Sequence, residues 1–413
     1  MKKKIVLIIG IIVIIGIFAK IFIFYDKYKI PKGVKITTED KGIEVYDKTN
    51  LYDLIKNSNV DILTEDTELD YMKVGQHKYT IEYKYKLKKY LYDLQYIVED
   101  NVNPIFINVP SKKTLYINEA NEESLTKKVS YADNYDVKPK LEIDGEVKFN
   151  EIGKYKIKYI ITDQSGNETI KDAVIEIKER PEEKPQEPTE EEEEPEEDFI
   201  SIEEQIENYK TSDTMIGIDI SKWQGEVDFE KVKNAGVEFV ILRMGVMKNK
   251  DTPLAIDNTF EENYKNAKNA GLKIGVYIYS ESNTIDKAIE NAEFVIENLK
   301  GDKLDFPVCF DWECWAYFND LEINLYRLNE MYDAFSDKLK DAGYDTMLYA
   351  SENYLNNTWL DLKDYTIWAA KYSTKKPSIS RDYILWQNSD KGRVDGIEGN
   401  VDLDVYYKIR RTF

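Results

Sequence analysis

The sequence predicts a multidomain chain: an N-terminal transmembrane helix, two small all-β modules, and a C-terminal irregular α/β barrel. Three observations carry that expectation. An almost unbroken apolar run fills 5–25, short alternating runs recur over 33–180, and from 213 onward strand-like runs alternate with helical ones. At 413 residues the chain is too long for one compact domain. A net charge of −21 argues against nucleic acid as a partner, and two cysteines cannot make a disulfide framework. The one histidine, His77, excludes Ser-His-Asp and Cys-His catalysis and multi-His zinc sites. What remains is carboxylate chemistry, with no cofactor and no metal constellation expected.

The first element is the apolar run. Residues 1–4 read as a cytoplasmic tail and 5–25 as a transmembrane signal anchor, since about 20 apolar residues suffice to cross a bilayer. Ile17 stands where a signal-peptidase site around Ala19 would need a small residue, so the anchor is expected to stay uncleaved. Lys27, Lys29, Lys32 and Lys35 balance Lys2 to Lys4, so charge alone does not set orientation. A three-lysine tail is easily left inside. The expectation is a single-pass protein of the cell membrane with its remaining domains outside.

Next come two β-modules, 33–108 and 109–180. Val74-Gly75-Gln76-His77-Lys78-Tyr79-Thr80-Ile81 is echoed by Ile152-Gly153-Lys154-Tyr155-Lys156-Ile157-Lys158-Tyr159, 78 residues later. Both alternate after a glycine, as half-buried antiparallel strands do. The second copy runs on through Thr162-Asp163-Gln164-Ser165-Gly166-Asn167 into a turn and a returning strand at 174–177. Through that turn and its flanking strands it resembles bacterial immunoglobulin-like wall-protein modules; the first copy is more diverged. A stalk or spacer is the expected role, and an envelope protein complex is a further partner the modules could serve. His77, alone on a strand, reads as structural. Residues 181–198 then carry eleven acidic side chains and one lysine among prolines, a solvated extended linker.

The last element is the domain 213–413, which holds all six tryptophans. Eight strands are predicted at 215–221, 239–246, 273–280, 307–313, 345–351, 365–372, 383–389 and 400–406. Asn234-Ala235-Gly236, Asn269-Ala270-Gly271 and Asp341-Ala342-Gly343 each end an amphipathic segment before a strand, with glycine at the helix cap. Repeated helix, glycine, strand is βα architecture, and eight strands invite closure into a TIM-like barrel. The last two connections look too short for crossovers, so the final strands are expected to pair antiparallel.

In βα barrels the chemistry sits at the carboxyl ends of the strands. Asp219 ends the first strand, Asp311 and Glu313 the fourth, and Asp402 lies on the eighth. Asp311 and Glu313, two apart on a strand, share a face, and the apolar Pro307-Val308 before them points that face into the lumen. Two buried carboxyls repel one another, so one holds a proton beside an anion, which is the pairing glycosidic cleavage needs. Taken alone, Asp-x-Glu on a strand is more often an ion pair or a surface strand. The aromatic residues Trp223, Tyr277, Tyr349, Tyr372 and Trp386, with Gln387, lie at or near strand ends where rings can stack on sugar or simply fill a core. Trp312 should point away from the carboxylate face. Cys309 and Cys314 are about 16 Å apart along an extended strand and read as free buried thiols.

Six motifs in order, GIDISKWQG (217–225), VILRMG (240–245), GLKIGVYIYS (271–280), FPVCFDWE (306–313), WAAKY (368–372) and LWQNSDKGRVDGIEGNVDLD (385–404), resemble the glycoside hydrolase family 25 lysozymes, which are N-acetylmuramidases. The resemblance covers about 200 residues, essentially all of 213–413. It implies Glu313 as general acid/base, Asp311 as the carboxylate that orients or stabilises the reacting N-acetyl group, and Asp219 and Asp402 as further acidic residues of the site. It also implies peptidoglycan as the partner and cleavage of the β-1,4 bond between N-acetylmuramic acid and N-acetylglucosamine. Spacing leaves retaining and inverting geometries both open. The rival reading is a non-catalytic wall-binding or scaffold protein with a relic lysozyme-like domain, against which Glu313 stands. Ser373-Thr374-Lys375-Lys376 matches S-x-x-K, but Pro377 follows and no K-T-G exists, so the match reads as chance. A thick exposed wall, as in Gram-positive bacteria, suits the whole architecture.

Overall fold

The computed structural model describes residues 27–39, 42–181 and 199–408. The predicted tail 1–4, the run 5–25 and nearly all of the acidic linker lie outside the described residues. Among the described residues no helix is long and apolar enough to cross a membrane, so the transmembrane helix of the expected fold class is not found among them. Two compact units divide the chain at Val102/Asn103.

In the first unit a long hairpin pairs Gly75–Tyr85 with Lys88–Glu99. Ile43–Glu44 adds in parallel to the second of these strands, and Asp61–Ile62 antiparallel to the first. Alternation buries Ile81, Tyr83, Leu94, Tyr96 and Val98 on one face, against Leu51, Leu54 and Leu69. His77 is half-buried, stacked on Tyr96, with Nε2 2.6 Å from the Lys73 carbonyl oxygen, a packing role.

The second unit opens with a four-stranded sheet, Lys140–Asp144, Gly153–Thr162, Glu168–Lys178 and Lys112–Tyr116 in that order. The Asp163–Asn167 turn closes its central hairpin: the Asn167 N–H donates to Asp163 Oδ1, and Gly166 takes φ +92°, the left-handed region. Ile157, Tyr159, Ile175 and Ile177 bury against Leu125. Ile105–Asn108 pairs separately with Ser130–Ala132.

Eight strands then close on themselves: β1 Thr214–Ile220, β2 Phe239–Val246, β3 Lys273–Ser280, β4 Val308–Trp312, β5 Thr346–Ser351, β6 Ile367–Ala370, β7 Leu385–Arg393 and β8 Val401–Tyr407. Strands β1 to β7 run parallel in sequence order, and β8 pairs antiparallel with both β7 and β1. The strands fall close to their predicted positions, but the TIM-like α/β barrel is corrected. The region is a closed β-barrel whose last strand reverses, so the eightfold βα repeat is broken. The expectation that the final strands pair antiparallel holds for β8 and is corrected for β7. Residues 371–384 make a parallel crossover into β7, and only the shorter 394–400 returns antiparallel.

Helices pack outside the barrel: α1 Ile202–Tyr209 before β1, then α2 Phe229–Asn234, α3 Phe260–Asn269, α4 Ile285–Leu299, α5 Leu325–Asp341 and α6 Glu352–Asn357 after β1 to β5 in turn. Asp228 caps α2 by accepting from the Lys231 N–H, and Thr284 and Asn324 cap α4 and α5 in the same way.

Period two sorts the barrel residues into two cores. Outward side chains such as Ile218, Val240, Val276, Phe310, Leu348 and Val405 pack beneath the helices. Inward ones such as Met215, Phe239, Ile241, Met347 and Leu385 fill the lumen. At its floor Phe239 meets Phe306 (ring centroids 4.8 Å apart) and Tyr406 (6.4 Å). Gly217 leaves the space for Phe239: a Cβ there would fall 2.3 Å from its ring.

Candidate active site

The inward positions change character toward the carboxyl ends of the parallel strands. Two residues beyond the apolar floor, β4 presents Asp311 after Cys309, β5 Tyr349 after Met347, and β7 Gln387 after Leu385. Strand β1 adds Asp219, β2 Arg243 and β3 Tyr277 and Tyr279. Because β8 is reversed, its Asp402 and Asp404 reach the same end. The result is a cavity of about 210 Å³ lined by Asp219, Asp311, Glu313 and Asp402, with Tyr277, Tyr279, Tyr349, Trp368, Tyr372, Gln387 and Arg243.

Asp219 and Asp402 stand directly opposite in the antiparallel β1–β8 pair. The Gln387 amide N–H donates to Asp219 Oδ2 at 2.7 Å, while its Oε1 accepts from the hydroxyls of Tyr349 at 2.7 Å and Tyr372 at 3.2 Å. Gln387 therefore ties two aromatic walls to one acid. The Trp368 indole N–H donates to Asp404 Oδ1 at 2.9 Å, holding the fully buried Asp404 behind Asp219. Asp311 is buried, and its Oδ1 has no hydrogen-bond partner.

Arg243 is the one cation among the lining residues. Its guanidinium is held by Asp257 Oδ2 at 2.7 Å, and the same oxygen accepts the Lys222 N–H at 3.2 Å. The β1 loop bearing Trp223 is thus tied to β2. Several donors to Asp257, those of Thr259 and Arg243 among them, outweigh its burial and hold its carboxyl below the usual range.

The acids inside shift the other way. Burial first, then the neighbouring Asp404, pushes Asp219 up; burial, then Glu313, pushes up Asp311. Asp402 is pushed up to about 9 by burial and then by Asp219, and Asp404 rises by burial and the charge of Asp402. Glu313 keeps solvent contact at the rim, yet partial burial still raises its carboxyl. Burial also raises the phenols of Tyr277 and Tyr349, which stay neutral donors. Carboxyls that keep protons near neutral pH, beside acids that cannot all ionise together, supply both a proton donor and an anion.

Of the ten residues singled out from sequence, eight line this cavity and two do not. Trp386 is fully buried on the outer side of the wall, edge-on to Tyr209 and donating its indole N–H to the Lys371 carbonyl. Neighbours on a strand face opposite ways, so Gln387 inward puts Trp386 outward. Trp223 is 76% exposed on the β1 loop, under the Lys222 ammonium at 4.7 Å, and does not line the cavity. Cys309 and Cys314 are free and buried. Sequence reasoning missed Asp404, Arg243 and Trp368 as site residues. Asp404 had a signal: it lies two residues after Asp402, so both share a face.

A barrel mouth that gathers raised carboxyls between aromatic walls, with no histidine among its lining residues, is equipped for carboxylate chemistry. Residues 218–397 match the family model "Glycosyl hydrolases family 25", and residues 113–177 match "Bacterial surface protein, Ig-like domain". The C-terminal domain is thus similar to glycosyl hydrolases of family 25, and a segment similar to a bacterial surface Ig-like domain precedes it. The autolytic lysozyme of Clostridium acetobutylicum is 37% identical over 193 residues, 46% of this chain and 56% of that protein. Lysozyme M1 of Streptomyces globisporus is 26% identical over 205 residues, 46% of this chain and 67% of that protein. The solved structure of a family 25 glycosyl hydrolase from Bacillus anthracis is similar at 22% identity, covering 49% of this chain and 91% of that one, with a TM-score of 0.41. This chain spans little more than half the length of the autolytic lysozyme.

Proposed function

We propose that the protein is a peptidoglycan hydrolase that cleaves the β-1,4 bond between N-acetylmuramic acid and N-acetylglucosamine. Glu313 acts as general acid/base and Asp311 as the supporting carboxylate. One observation carries the reading: Asp311 on β4 and Glu313, one residue past its end, both line the cavity, one sealed and one in contact with solvent. Glu313, with its carboxyl raised and its path to solvent open, delivers a proton to a leaving oxygen and later recovers it from water. Asp311, sealed and under strain of burial, stabilises charge that develops on the sugar side. Asp219 and Asp402 line the opposite wall, and Gln387 orients Asp219.

The substrate sets the location. Wall glycan lies outside the cell, so these domains work in the envelope, at the outer face of the membrane. Wall glycan strands are the partner, and a nucleic acid has no place in the reading.

The test incubates the full chain with purified peptidoglycan and analyses the muropeptides by mass spectrometry, beside Glu313→Gln. New reducing muramic acid ends are expected, with the variant slower by about 10²–10⁴-fold. Wall binding without cleavage by the unaltered chain would instead favour a docking module.

A further inference from the structure

The Ig-like module is not merely appended to the barrel. Ala132, on one of its strands, is buried in the same core as the barrel's outward side chains, and Ile105 and Ile107 pack against that core. What this module touches is the segment that follows Glu313.

That segment, Cys314–Leu321, is a 3-10 stretch with non-helical backbone at Tyr317 (φ −132°, ψ 31°), and it ends at Glu322 in the left-handed region (φ 55°). Such a stretch lacks the continuous ladder of an α-helix and depends on outside contacts to hold its shape. The module supplies them. The Tyr131 N–H donates to Asn319 Oδ1 at 3.2 Å. Beyond the segment, the first N–H groups of α5, which have no partner inside their own helix, are met by the module's backbone. Leu325 donates to the Asp133 carbonyl at 2.8 Å and Tyr326 to that of Asn134 at 3.4 Å.

Inside the segment the path to the acid is aromatic. Phe318 borders the module along with Asn319. It lies parallel to Trp315 at 6.3 Å, and Trp315 stacks on Tyr354 at 4.3 Å and meets Trp312 edge-on at 4.8 Å. Glu313 sits between Trp312 and Trp315 in the chain. One side of it is fixed by β4, the other by a stretch that the module grips.

We infer that the Ig-like module is a positioning element of the hydrolase, and that Asn319 is the positioning residue through which it fixes the backbone carrying Glu313. The inference rests on the assignment of Glu313 as acid. A spacer would leave the barrel indifferent to its neighbour; here the module completes both a core and a helix end of the catalytic domain.

The test compares the full chain with Asn319→Ala and Asn319→Asp, by hydrogen exchange of 314–321 and by steady-state release of reducing ends from peptidoglycan. Asn319→Ala is expected to speed exchange in 314–321 while leaving β1 to β8 protected. It should lower kcat on the order of 10- to 100-fold with KM unchanged, the signature of a misplaced acid. Asn319→Asp keeps an acceptor for the Tyr131 N–H and should recover part of both. Wild-type exchange and wild-type kcat in Asn319→Ala would overturn the inference. If the unaltered chain shows no cleavage at all, the hydrolase reading fails instead, and exchange alone decides whether the module holds the segment.

Discussion

The floor and the mouth of the barrel are built by the same strands, often two residues apart, and they obey opposite rules. At the floor Phe239, Phe306, Met347 and Leu385 bury apolar surface, and each contact stabilises the fold. At the mouth Asp311 and Asp404 bury acids whose charge costs free energy. The difference teaches that the lumen is a scaffold below and a strained chemical device above. The strand fixes which residues point inward, and height along it decides what they are for.

The widest separation between the two ends is expected from Glu313→Gln. Activity should fall by the two to four orders of magnitude given above, while the thermal midpoint holds or rises, because a carboxyl disfavoured by burial is removed. A loss of activity accompanied by an equal loss of stability would blur the distinction.

At the floor the expected effect is on stability. Phe239→Ala removes a fully buried ring that meets Phe306 and Tyr406, and should cost about 3–5 kcal/mol in a denaturant titration. The fraction that remains folded should keep its kcat. If kcat falls as well at full folding, the floor would be part of the device above it.

The pH dependence of stability probes the mouth alone. A carboxyl raised in the folded chain keeps its proton after the unfolded chain has released it. Its contribution to stability is therefore fully present below 3.8 and is lost as pH rises toward about 9, the values for Asp402. Asp219, Asp311 and Asp404 act in the same direction. Melting midpoints should fall with rising pH across that window, and Asp402→Asn should flatten the slope by up to one proton. An unchanged slope in the variant would mean that Asp402 titrates in the folded chain as it does in the unfolded one.

Period two made much of this legible. Alternation along each run placed the strands, put Asp311 and Glu313 on one face and turned Trp312 away. The same rule, applied to adjacent Trp386 and Gln387, would have kept Trp386 out of the site, and applied to Asp402 would have added Asp404. Closure was less legible, because a run of alternating residues carries no direction. Only connection length hints at it, and 371–384 proved long enough for a parallel crossover while 394–400 did not. The grip of the Ig-like module on the barrel had almost no sequence signal, since two of its bonds come from the backbone carbonyls of Asp133 and Asn134, which any side chain could accompany.

The smallest effect belongs to Trp223, which lies on the loop after β1 and outside both the floor and the cavity. Its ring is 76% exposed and touches the ammonium of Lys222 at 4.7 Å, a contact of about 0.5–1 kcal/mol at an exposed site. Trp223→Ala should therefore shift stability by no more than about 1 kcal/mol, within the range of surface substitutions and lost exposed contacts. Its loop is nonetheless fixed: the Lys222 N–H is held by Asp257, which also holds Arg243 at the cavity wall. If the cavity cleaves glycan as proposed, a flat ring on a fixed loop near it can bind substrate equally in the ground and transition states. Its loss should then raise KM and leave kcat alone. A fall in kcat instead would extend the device from the mouth out onto the loop, and unchanged kinetics would leave Trp223 a surface residue.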